Sequence, residues 1–103
     1  MPKLINEHDI KDMKPEGIDA ILAERGSRYG SFYEHARLAQ ALKHIMWNTE
    51  GWGRLVADQA QALEVIMDKV ARALNGDPNY LDNWTDIIGY AKLVEDRLKD
   101  ENR

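Results

Sequence analysis

The chain has 103 residues, 44% of them hydrophobic and 31% charged, with a formal charge of −4 and no cysteine. That length is one domain with a modest core, which self-association would help complete, and the acidic balance without a basic run argues against wrapping a nucleic-acid backbone. Lack of cysteine excludes disulfides, zinc–thiolate sites and thiol catalysis. No apolar run reaches the ~18 residues of a membrane span, and the start lacks a signal peptide's apolar centre, so a cytoplasmic protein is expected.

Residues 1–14 read as a flexible N-terminal arm with isolated Leu4, Ile5, Ile10 and Met13, and residues 15–103 as a single helical domain. Pro15 suits a first helical turn, and Ile18, Ile21 and Leu22 support a short helix to about Arg25, which Gly26 terminates. The segment Gly26-Ser27-Arg28-Tyr29-Gly30 follows as a turn whose glycines permit close backbone approach to a ligand. There Arg28 can contact a phosphate and Tyr29 can stack on a base, although such turns also arise for geometric reasons alone. The segment lacks the Lys-Ser/Thr ending of a P-loop. Ser31 and Glu34 form a capping box that opens a helix from Phe32 to about Asn48, with Leu38, Leu42, Ile45 and Met46 as its core stripe. His35 is an ordinary partly packed histidine on this reading, with a place beside Glu34 in the site as the alternative.

Thr49 to Arg54 is a connecting loop, and its Trp52 is read as a plug for the open end of the core rather than a lid. A long helix begins near Asp58, which can cap it, and carries Leu63, Ile66, Met67, Val70 and Leu74 on one side. Asn75-Gly76 gives a left-handed stop, and Asp77-Pro78-Asn79-Tyr80 turns the chain into a last helix with the stripe Trp84, Ile87, Ile88, Ala91, Val94 and Leu98. The expected fold is therefore all-α, a four-helix array whose last two helices form a central antiparallel hairpin. Gly89 inside the last helix costs about 1 kcal/mol relative to alanine, so close approach of a helix or ligand is expected there. The end from Glu95 to Arg103 alternates in charge and reads as solvated and fraying.

Beside these stripes, Glu64 and Asp68 stand one turn apart, and Asn83, Asp86 and Tyr90 follow the border of the last helix. A hairpin can bring Glu64, Asp68 and Asp86 to one rim, where grouped acids favour a hard divalent cation such as Mg2+. Against this stands an ordinary solvated face in which Asp68 pairs with Arg72 and Asp86 favours the helix dipole. Lys69 and Arg72 are the cations of the same helix.

The runs Tyr29-Gly30-Ser31-Phe32, Asp68-Lys69 with Arg72, Gly76-Asp77-Pro78 and Asp82 through Ala91 resemble a small family of bacteriophages and prophages, over residues 18–98. More distantly the pattern is similar to the MazG-like all-α nucleoside triphosphate pyrophosphohydrolases. That likeness implies a MazG-like fold, a magnesium site in which Asp86 matches a ligand and Asn83 replaces an acidic one, and cleavage between the α and β phosphates. On this reading Glu64, Asp68 and Asp86 hold the metal and are catalytic, Arg28, Lys69 and Arg72 neutralise phosphate, and Asn83, Tyr29 and Tyr90 contact the ligand. Three functions stay open: a magnesium-dependent pyrophosphohydrolase, a binder that sequesters a nucleotide or nucleotide second messenger without turnover, and an interaction domain. A homo-oligomer is expected in each case, with no nucleic-acid polymer or membrane as partner, in the cytosol of the bacterial host.

Overall fold

The computed structural model describes residues 17–102. The expected arm and the helix start at Pro15 lie outside the described residues. Within them the chain is an all-α four-helix bundle: α1 (Ile18–Tyr29), α2 (Phe32–Trp47), a 3-10 turn (Glu50–Arg54), α3 (Ala57–Asn75) and α4 (Leu81–Glu101). The central hairpin is as expected, since α3 packs most extensively against α4. It packs almost as extensively against α2, while α1 touches α2 and α3 more lightly. Helices α2 and α4 therefore flank α3. No described helix is long and apolar enough to cross a membrane.

Local chemistry explains most boundaries, and several differ from expectation. Gly26 does not end α1. Ser27 Oγ donates to the Glu24 carbonyl at 2.7 Å and Arg28 pairs with Glu24 at 3.2 Å, so the helix continues for another turn. It stops at Gly30, the one residue of positive φ among those described (75°), whose N–H closes on the Gly26 carbonyl at 2.8 Å. The five-residue turn thus shrinks to Gly30-Ser31. Ser31 caps α2 by accepting from the Glu34 N–H at 3.1 Å, but the Glu34 carboxylate turns to Arg37 at 3.0 Å rather than completing the box.

The segment 49–54 is a 3-10 turn rather than a loop, because Thr49 Oγ1 accepts from the Trp52 N–H at 3.2 Å. Asp58 is not the cap of α3. Val56 holds that position, and Gln59 Oε1 accepts from its N–H at 3.0 Å. This frees the Asp58 carboxylate to receive Arg97 from α4, through Nε at 2.5 Å and Nη2 at 2.8 Å. The C-terminal run is consequently tied down at Arg97, while Lys92–Asp96 and Glu95–Lys99 remain exposed one-turn pairs.

The Arg97 hydrogen bonds hold the Asp58 carboxyl below its ordinary value of 3.8. A depressed carboxylate contributes stability that is present above its unfolded value and lost as pH falls through the folded one. Acid unfolding below about pH 4 should therefore begin by loosening this tie. Arg97→Met, which keeps the apolar stem, should flatten that limb of a circular-dichroism pH titration.

Packing departs from the stripes in one respect. Ile66, Met67, Val70, Ile87 and Val94 are partly buried, but Leu63, Leu74, Trp84, Ile88, Ala91 and Leu98 are exposed. Among the described residues the buried apolar side chains are three alanines, Ala39, Ala62 and Ala71. Small side chains are what reach the inside of a helix pressed between two others, since they let the backbones approach. The larger ones are pushed to the margins. Trp52 is partly buried, in keeping with its expected place at the core's end.

Candidate functional site

Where α1 gives way to α2, the chain makes a kink that is pinned to the end of α3. Asn75 Nδ2 donates to the Tyr29 carbonyl at 2.8 Å and the Ser31 carbonyl at 2.9 Å, and the Asp77 N–H donates to the Arg28 carbonyl at 2.6 Å. Gly76 ends α3 as expected, though not in a left-handed conformation, since its φ is −129°. Its missing Cβ is used instead by the Arg28 carbonyl and the Tyr29 Cα, which occupy that space. Gly30 and Gly76 therefore serve an approach of chain to chain, while Gly26 borders open space.

This clamp forms one wall of a cavity of about 530 Å³, lined among others by Arg25, Tyr29, Phe32, His35 and Arg72. Volumes of this size suit small-molecule ligands. The Arg72 guanidinium lies 4.8 Å from the Tyr29 ring centroid, a cation–π arrangement that holds both. Neither Arg25 nor Arg72 has an ion-pair partner among the described residues. His35 Nδ1 is buried and has no hydrogen-bond partner among the described residues. Buried polar atoms normally have one, so this nitrogen is a place for a ligand atom or water.

Burial, then the positive charge of Arg72, holds the His35 imidazole below its ordinary 6.5, with Asp68 opposing and Lys43 and Lys69 reinforcing. The ring is thus neutral at pH 7, one nitrogen donating and the other accepting. Because the unfolded chain takes up this proton more readily, stability is full above about pH 6.5 and declines as pH falls below it. His35→Gln should flatten urea midpoints measured between about pH 5 and 7.5.

The expected carboxylates sit differently. Glu64 accepts from Trp47 Nε1 at 2.9 Å, Asp68 pairs with Lys43 at 2.9 Å, and Asp86 pairs with Lys69 at 2.9 Å. Glu64 and Asp68 look from α3 toward α2, whereas Asp86 reaches α3 from α4, so the three do not share one rim. No group of three or more His, Asp or Glu among the described residues is placed to hold a metal ion. Lys43 and Lys69, only 14% exposed, take the place of a cation and leave these pairs neutral. Arg72, on the same helix as Lys69, has no carboxylate partner of this kind among the described residues.

Of the other expected contacts, Tyr29 and Arg72 meet in the cavity. Arg28 instead lies 4.5 Å over the Tyr80 ring. Asn83 is 2% exposed, with its Nδ2 unpartnered, and Tyr90 lines a separate shallow groove with Asp86. Sequence reasoning missed Arg25 and Phe32 and held His35 only as an alternative. The signal was their placement within five residues of the Gly30-Ser31 kink, on its two sides.

Fold and cavity together define an all-α helical-bundle protein with a basic, aromatic-walled pocket at a helix–helix kink. Residues 16–98 match the family model described as Domain of unknown function (DUF6378), and the chain belongs to that family. No curated protein and no solved structure matches it.

Proposed function

We propose that this protein binds a nucleotide through its phosphates in the cavity between α1, α2 and α3, without cleaving it. The observation that carries this reading is the company Arg72 keeps: a guanidinium stacked on Tyr29, with no carboxylate partner among the described residues, beside Arg25 and a His35 nitrogen likewise without a partner there. Guanidinium groups recognise phosphate oxygens with paired N–H donors, and a Tyr or Phe ring offers a face to a base. The MazG-like sequence likeness supports a nucleotide as the ligand. Binding is favoured over magnesium-dependent hydrolysis because Glu64 and Asp68 are engaged by a donor and a cation of α2, and Asp86 by Lys69 on the side of α4. In a phage-infected cytosol, such a binder would withdraw a nucleotide or nucleotide second messenger from use.

The test is a calorimetric titration of the full chain with nucleoside triphosphates, cyclic nucleotides and inorganic triphosphate, in EDTA and in magnesium, with pyrophosphate release followed in parallel. Heat of binding that survives EDTA, with no release, is the expected result. Magnesium-dependent release would replace the binder by a pyrophosphohydrolase, and no heat from any probe would sink the nucleotide reading.

A further inference from the structure

The first half of α4 presents an apolar surface that nothing in the described chain covers. Leu81 is 71% exposed, Trp84 50%, Ile88 67% and Leu93 67%. On a helix these positions, with Thr85 and Gly89 between them, form one continuous arc. Thr85, Gly89, Tyr90 and Leu93 also line a shallow groove of about 450 Å³. A Cβ added at Gly89 would meet nothing within 4 Å. The helix thus carries its least favourable non-proline residue at a position where the protomer makes no use of the missing side chain.

We infer that this face of α4 is an isologous dimer interface, occupied by the same face of a second copy crossing at Gly89. Three observations select that occupant. First, a glycine flanked by exposed apolar side chains permits close helix approach and lets a partner's Leu or Ile side chain enter the groove over it. Secondly, a twofold axis at Gly89 with antiparallel helices sets Leu93 against the partner's Thr85. It also sets Lys92, paired with Asp96, near the partner's Asp86, paired with Lys69, so no like charges are opposed three residues either side of the axis. Thirdly, Leu81, Trp84, Ile88 and Leu93, each at least half exposed, make a contiguous apolar patch of the kind that a partner's surface buries.

Residues 1–16 hold their apolar residues, Met1, Leu4, Ile5, Ile10 and Met13, scattered among charged and polar ones. A second copy brings an equal apolar face by construction.

The experiment is sedimentation equilibrium of the full chain up to about 100 μM, beside Ile88→Asp/Leu93→Asp, whose helical content is checked by circular dichroism. Wild type should sediment at twice 11.8 kDa, and the double variant should lose self-association by at least about 100-fold with its helicity kept. A second variant does not depend on charge insertion. Because the chain has no cysteine, Gly89→Cys should oxidise to a disulfide-linked dimer, and Gly53→Cys on the exposed 3-10 turn should not. A monomeric wild type, a dimer undiminished in the double variant, or equal crosslinking at positions 89 and 53 overturns the proposal.

Discussion

Gly30→Ala should destabilise the protein by about 3 kcal/mol or more, read as a fall in the urea midpoint at unchanged slope. Two effects combine. The backbone at Gly30 has φ of 75°, a conformation that an alanine adopts only with strain. The new Cβ would also overlap the Asn75 carbonyl oxygen and stand 2.7 Å from Asn75 Nδ2, the amide that bonds the Tyr29 and Ser31 carbonyls. Relief of the overlap separates α1 from the end of α3 and sacrifices those two hydrogen bonds, each worth about 1 kcal/mol net. Gly76→Ala should act similarly from the opposite side of the crossing, through the Arg28 carbonyl, although its own φ of −129° imposes no left-handed strain. Both substitutions damage one clamp, so the double variant should lose less than the two single losses together. A change below about 1 kcal/mol in Gly30→Ala would mean that the clamp is not what joins α1 to the rest.

Arg72→Ala should weaken triphosphate binding by about 10- to 100-fold, the worth of one or two charge-assisted hydrogen bonds to phosphate. The fold should survive, because Arg72 has no ion-pair partner among the described residues and its recorded contact is the Tyr29 ring. Arg72→Lys keeps the charge but not the planar fork or the stacking, and should fall between the two. Calorimetry with inorganic triphosphate separates the phosphate contribution from any base contribution. Undiminished affinity in Arg72→Ala would move the ligand elsewhere on the molecule.

The helical elements were readable because they rest on local chemistry. Ser31 ahead of Phe32, Gly76 ahead of Pro78, and periodic apolar positions in α3 and α4 fix elements whatever the neighbours do. The limits of α1 were less legible because Gly26 is a weak breaker when Glu24 can secure both Ser27 and Arg28 on the next turn. The site was legible in part. Periodicity put Glu64 and Asp68 on one row, but it reports only the side of a residue's own helix. It does not reveal that Lys43 of α2 and Lys69 of α3 lie within reach of Asp68 and Asp86. One clue was present: Lys43 falls four residues after Ala39, hence on the inward face of α2, where a lysine stem needs a carboxylate beside it. His35 was obscured similarly, because its environment is assembled by charges on α2 and α3 that are distant in sequence.

The small-residue interior has a thermal consequence. The heat-capacity increment of unfolding follows the apolar surface newly wetted, and the described helices, with many of their Leu, Ile and Trp side chains partly in water, have less left to wet. Taken alone a protomer should melt over a broad range with a shallow endotherm. Association of two copies would steepen that endotherm and make its midpoint climb with protein concentration.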